Sequence, residues 1–153
     1  MNPEHITIEL QGRSAACAAV CKAGLARCLE LILERFGLHA AGLDLLLTDD
    51  RSITELNRRF LGLAGPTNVL SFPDAEARAK DHLGQICLSM DTLYREARLY
   101  GQHPAEHLIR LLSHGILHLA GYVHGPRMQA LTDQGLQVFL ERPDRHLLLG
   151  QVH

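Results

Sequence analysis

"SHGILHLAGYVHG" (residues 113–125) sets three histidines, His114, His118 and His124, where a plain core helix would carry leucine. Apolar residues recur at helical spacing from Pro104 to about Leu119, and proline suits the first turn of such a helix. On that helix His114 and His118 stand one turn apart on one face, so two imidazoles converge on one point. His124 joins them only if the helix stops. Six more helical residues would carry it about 9 Å along the axis and rotate it away. Gly121 lies in the gap, where glycine accepts the left-handed conformation that ends helices. Helix, glycine and third histidine are read as one device that folds the chain back onto the face it has just left.

Working outward, "HITIEL" (5–10) alternates polar and apolar as a half-buried strand does. From Ser14 to about Phe36 apolar residues, Cys17, Cys21 and Cys28 among them, recur at helical spacing, and Gly37 stops that helix. "LDLLLTD" (43–49) is a nearly continuous apolar run, the mark of a strand covered on both faces. "DRSITELNRRF" (50–60) predicts a helix with Asp50 or Ser52 as N-cap and Ile53, Leu56 and Phe60 on one face.

The loop "LGLAGPT" (61–67) leads to a short strand, "NVLSFP" (68–73), ended by proline, and "EARAKDH" (76–82) reads as a surface loop. "LGQICLS" (83–89) is the fourth strand, "MDTLYREARLYG" (90–101) a helix with glycine past its end, and a last helix spans about 127–141. With no repeat, linker or low-complexity tract, residues 1–153 are expected to form a single α/β (α+β) domain. Its mixed four-stranded sheet would pack with about five helices and carry the metal site at the end of the long one.

The 153 residues are 46% hydrophobic and 21% charged, with a net charge of −2, as in ordinary globular domains. No apolar run reaches the roughly 18 residues of a membrane span. The polar start "MNPEHITIEL" does not read as a signal peptide, so the expectation is a cytoplasmic protein with no membrane contact. The four cysteines are read as buried thiols, since disulfide frameworks belong to smaller secreted chains. Thirteen of the 15 cationic residues are arginine, whose planar fork suits phosphate, yet a solvated arginine face gives the same count. Composition alone assigns no partner.

Three neutral imidazoles leave zinc, or another divalent metal, one open position, which is the catalytic pattern; structural sites close with four ligands. A water on that position would have its pKa lowered towards 7. The spacing H-x-x-x-H-x-x-G-x-x-H also matches metzincin peptidases, but Gly115 follows the first histidine where they carry the glutamate base. A peptidase therefore ranks third among the readings. RNA asks less of the protein, because its 2′-hydroxyl lies beside the scissile phosphate. His103 and His107 form a second i, i+4 pair without a third ligand nearby and are read as surface or supporting residues. His5, His39, His82, His146 and His153 form no arrangement.

"HGILHLAGYVH" resembles the H-G-x-L-H-L-x-G-Y-D-H signature of the YbeY family of bacterial rRNA maturation factors, described as metal-dependent endoribonucleases. "LNRRF…GPTNVLSFP" is similar to the family's L-N-x-x-[YF]-R-x-x-x-x-P-T-[DN]-V-L-S-F-P, "LGQICLS" to L-G-D-I-x-I-S, and "EARLYGQ" to E-A-x-x-x-G-H. The resemblance implies zinc on His114, His118 and His124, and a cleft between their helix and the strand "NVLSFP". It also implies ribosomal RNA as substrate, with small ribosomal subunit proteins as partners.

Three family charges are absent. Leu61 replaces an arginine linked with RNA handling, and Gln85 and Val123 each replace an aspartate. The acidic stretch after the third histidine is shortened to "GPRMQALTDQ". Arg58, one helical turn before Leu61, is the candidate to supply the lost phosphate contact, against the reading that it is simply solvated. The rival to the enzyme is a non-catalytic, zinc-containing maturation factor that acts by binding ribosomal components.

Overall fold

In the computed structural model, which describes residues 5–12, 15–38, 41–74 and 81–150, four strands form one mixed sheet. β1 (Ile6–Leu10), β2 (Gly42–Thr48), β3 (Val69–Pro73) and β4 (His82–Ser89) lie in the order β1-β2-β4-β3. β1 and β4 flank β2 in parallel, while β3 pairs antiparallel with β4 at the edge, Leu70 opposite Cys87 and Phe72 opposite Gln85.

Side chains alternate across a strand, so the sheet feeds two apolar clusters. Leu43, Leu45 and Leu47 of β2 join Ile86 and Leu88 of β4 in the main core. Leu46, Cys87, Leu70 and Phe72 point to the other face and pack with Ile53 and Leu56. The continuous apolar run of β2 is thus covered on both sides, as its sequence predicts.

The helices are α1 (Ala15–Ala18), α2 (Lys22–Arg35), α3 (Asp50–Leu61), α4 (Met90–Tyr100), α5 (Pro104–Leu119) and α6 (Pro126–Leu140), followed by a 3₁₀ turn at Arg145–Leu147. α5 runs through the core with Leu108, Leu112, Ile116 and Leu119 fully buried. Its approach to the sheet is close. A Cβ on Gly115 would lie 3.1 Å from Ile86 Cδ1 and 3.3 Å from Ser71 Oγ. On the other side a Cβ on Gly135 of α6 would overlap Ser113 Oγ. Two glycines therefore let α5 sit tightly between β3–β4 and α6, and that fixes where its C-terminal histidines emerge.

Four expectations need correction, the first two of them linked: the extent of the first helix and the burial of Cys21, then the cap of α3 and the burial of Phe60. The helix expected over residues 14–36 is two, α1 and α2, so six helices replace about five. Between them Cys21 is extended (φ −87°, ψ 100°) and its N–H donates to Leu148 O at 3.0 Å. Val20 bridges Leu149, and Gly150 N–H donates to Ala19 O at 2.8 Å. Pairing with this distant segment satisfies backbone groups that would otherwise continue the helix. Cys21 is consequently exposed, whereas Cys17, Cys28 and Cys87 are buried.

The N-cap of α3 is Asp49, whose side chain accepts from Ser52 N–H at 2.9 Å, and not Asp50 or Ser52. Asp50 instead braces α3 to α4. Its Oδ1 accepts from Ser89 Oγ and Thr92 Oγ1 at 2.6 Å each, and its Oδ2 pairs with Arg95 at 2.6 Å. Burial pushes the Asp50 carboxyl up, but Arg95 and the two hydroxyls outweigh it and hold the group below the usual carboxylate range. The brace therefore weakens as pH falls through that lowered value.

The last correction is Phe60, which is exposed. Asn57 takes the inner face beside Ile53, its amide donating to Gly65 O at 3.1 Å. Of the expected 76–82 loop, residues 76–80 lie outside the described residues, as do His39 and His153.

Burial raises the Cys28 and Cys87 thiols to about 11 each. Native protein at neutral pH should therefore take up maleimide at one thiol per chain, Cys21, and at four after unfolding. Mass spectrometry reads this directly, and fast modification of Cys28 in the native state would contradict the packing around α2.

Candidate metal centre

α5 stops as its sequence requires. Ala120 is the last near-helical residue (φ −79°, ψ −2°), and Gly121 then turns to φ +97°. Gly121 N–H donates to His118 O and Tyr122 N–H to Leu117 O, both at 3.0 Å, which satisfies the last carbonyls of the helix. The chain reverses, and His124 returns to the face that carries His114 and His118. Ring centroids are 4.5 Å apart for His114–His118, 4.7 Å for His118–His124 and 5.0 Å for His114–His124.

One nitrogen from each ring lies within 4.8 Å of the others, and among the described residues no cysteine or carboxylate joins them. His114 and His118 are half-buried; His124 is exposed. The Nε2 atoms of His114 and His118 are 3.0 Å apart, close enough to share one proton, or to face one metal ion between them and His124. Burial first, then the neighbouring His118 and His124, hold the His114 imidazole below its ordinary value. The site favours the neutral ring, which is the form that ligates metal. Three converging imidazole nitrogens, with no fourth His, Cys, Asp or Glu donor among the described residues, fit a divalent metal with a position left open.

Gly115, where metzincins carry glutamate, is a point of close approach between α5 and the sheet. A Cβ there would press on Ile86 Cδ1 at 3.1 Å and Ser71 Oγ at 3.3 Å, so any side chain at this position would push α5 away from the sheet.

Beside the histidines lies a cleft of about 520 Å³, between α5 and β3 as the sequence resemblance implies. His114, Gly115 and His118 form one wall; Leu61 and the strand Val69–Pro73 form the other. Leu61, at the end of α3, is half-exposed and occupies the cleft itself. Phe60 meets the wall residue Phe72 edge-on, with centroids 5.4 Å apart and ring planes at 61°.

The other sequence candidates fall elsewhere. Gln85 lines a neighbouring depression with Asp44, His82 and Phe72, and Val123 is exposed beside His124. Arg58 lies on the exposed face of α3, its Nη2 2.5 Å from Glu55 Oε1, and is not among the cleft-lining residues. His103 is exposed and caps α5, its Nδ1 accepting from Ala105 N–H at 3.1 Å. His107 is buried, with Nε2 3.1 Å from Glu96 Oε1, so it supports α5 against α4 and is not a surface residue.

Sequence reading missed the aromatic mouth of the cleft. The signal was present in the run itself: Phe60, Leu61 and Leu63 are large apolar residues crowded around the C-terminal end of α3, and all three are exposed.

These features define an α+β domain with a turn at the end of its central helix whose three histidines could hold a metal ion. The family model described as Endoribonuclease YbeY matches residues 8–137, and the chain belongs to this family. It is 42% identical over 130 residues to the Endoribonuclease YbeY of Oleidesulfovibrio alaskensis, covering 71% of this chain and 77% of that protein. With the Endoribonuclease YbeY of Nitratidesulfovibrio vulgaris it shares 40% identity over 123 residues, 68% of this chain and 75% of the relative. Its fold is also similar to the solution structure of a Thermotoga maritima protein, at a TM-score of 0.65 and 27% identity over 86% of this chain and 88% of that one.

Proposed function

We propose that this protein is a metal-dependent endoribonuclease that cuts single-stranded RNA during ribosomal RNA maturation, acting as one domain over residues 1–153. The observation that carries the reading is the convergence of His114, His118 and His124, with no fourth His, Cys, Asp or Glu ligand among the described residues, beside an open cleft that His114 and His118 line. Family membership supplies the reaction class.

Zinc is the proposed ion, since three imidazoles and a free position suit it; another divalent metal fits the same donors. When bound, such an ion supplies polarisation of a phosphate oxygen and activation of a nucleophile. The chain's own part is to orient. The turn at Gly121 presents His124, Gly115 keeps α5 close to the sheet, and the β3 wall would align the RNA with its scissile phosphate towards the histidines, where a water or the neighbouring 2′-hydroxyl could attack it. Small ribosomal subunit proteins are the proposed partners and the cytoplasm the proposed compartment. No helix among the described residues is long and apolar enough to cross a membrane.

Elemental analysis of untagged protein, followed by cleavage of a single-stranded RNA with and without chelator, tests the proposal. One equivalent of zinc and chelator-sensitive internal cuts are expected. Zinc without cleavage would leave the non-catalytic maturation factor, which the lack of a cation among the cleft-lining residues favours.

Arg58 is proposed to contact phosphate where the RNA strand runs beyond the cleft, given its exposure. Arg58→Ala should then weaken binding and flatten the plot of log K against log salt by about 0.7, the value of one single-strand phosphate contact. Leu61→Arg should add one contact inside the cleft. Unchanged affinity in Arg58→Ala assigns that residue to the Glu55 ion pair alone.

A further inference from the structure

We infer that the cleft mouth is a nucleobase site, in which Phe60, Leu61 and Phe72 hold an unpaired base by its face and so decide which RNA is presented to the histidines. The inference rests on the endoribonuclease reading and deepens it.

Four observations carry it. The cleft walls contain no lysine or arginine among the described residues, so the strand is not gripped there by its phosphates. Phe60, Leu61 and Leu63 are 56%, 54% and 57% exposed, a local concentration of large apolar side chains that the core does not use. The exposed ring is continuous with the cleft, because Phe60 packs edge-on against the wall residue Phe72. Finally, the Arg59 guanidinium lies 5.5 Å from the Phe60 ring centroid and makes no ion pair among the described residues, whereas neighbouring Arg58 is held by Glu55.

An aromatic ring flanked by such a guanidinium is the combination that stacks unpaired bases and tolerates any sequence, since every base has a π-face. The same cleft carries His114 and His118 at its far wall, so a nucleotide whose base is held at the aromatic end is presented to the metal-binding end. Paired bases are already stacked and cannot enter. Selection for single strands would therefore come from base contact, with charge contributing little.

The test uses full-length, zinc-loaded protein and a fluorescein-labelled 12-nucleotide single-stranded RNA. Anisotropy is read against an abasic RNA of equal length and against the duplex, between 50 and 200 mM salt. Phe60→Ala should bind the single strand about tenfold more weakly with an unchanged salt slope, and Phe60→Trp should bind as the wild type does. The abasic RNA and the duplex should each bind the wild type about tenfold more weakly than the intact single strand, and Phe60→Ala should bind intact and abasic strands alike.

Zinc stoichiometry and sedimentation velocity on each variant check folding and assembly. Wild-type affinity in Phe60→Ala, with RNA still bound and cut, overturns the base site and leaves the endoribonuclease standing. A change of oligomeric state in Phe60→Ala also overturns it, since the patch would then join copies of the chain. Zinc-loaded protein that binds no single-stranded RNA overturns both readings.

Discussion

His118→Ala is expected to fold and to hold no stoichiometric metal. Its ring lies 4.5 Å and 4.7 Å from its two partners, so its loss reduces a three-point chelate to a pair contributed from different sides of a turn. Loss of residues that merely orient metal ligands costs 10–100-fold in affinity, and loss of a ligand should exceed about 100-fold. His114→Ala and His124→Ala should behave alike. His103→Ala and His107→Ala should keep a full equivalent, because those rings are engaged with Ala105 and Glu96.

Thermal melts give a readout independent of activity. Metal at about 100 times its Kd stabilises the folded state by about 2.7 kcal/mol, which for a chain of this size raises Tm by roughly 5–10 °C. Chelator should remove that increment from the wild type and do nothing to His118→Ala. Persistence of one equivalent of zinc in His118→Ala would sink the ligand assignment.

The pH dependence has a defined sign. Burial and the adjacent imidazoles keep His114 neutral to lower pH than a free histidine, so the unfolded chain binds more protons than the folded one across that window. The contribution is therefore present above the ordinary imidazole value and lost as pH falls, and metal affinity falls with it below about pH 6.

Gly121→Val is expected to cost both stability and metal. At φ +97° a β-branched side chain meets its own backbone, a strain of about 1–3 kcal/mol that lowers Tm by roughly 3–10 °C. The chain escapes that strain by changing the turn, which moves His124 away from His114 and His118. Zinc content should drop together with Tm. Gly121→Asn, which enters positive φ more readily, should lose less of both. Full zinc and an unaltered melt in Gly121→Val would mean that His124 reaches the site by another path.

Much of this fold is legible along the chain because it depends on neighbours. The stripe from Pro104 to Leu119, the alternation in Ile6–Leu10 and the apolar run of β2 are local consequences of which faces must leave water. The histidine trio is local too: one helical turn, one glycine and a three-residue return bring its members together within eleven residues. What stayed hidden depends on residues far apart in sequence. The helix expected over residues 14–36 breaks because Cys21 finds Leu148, more than a hundred residues away, and backbone pairing there satisfies groups that helix propensity alone would have kept. Phe60 shares a helical face with buried Ile53 but stands in the last turn of α3, where it meets only the edge-strand residue Phe72 and stays exposed. The cleft joins the end of α3, the edge strand β3 and the middle of α5, three segments with no common periodicity. Local pattern decides which face of an element is apolar; only packing decides whether that face finds a partner or becomes the wall of a site.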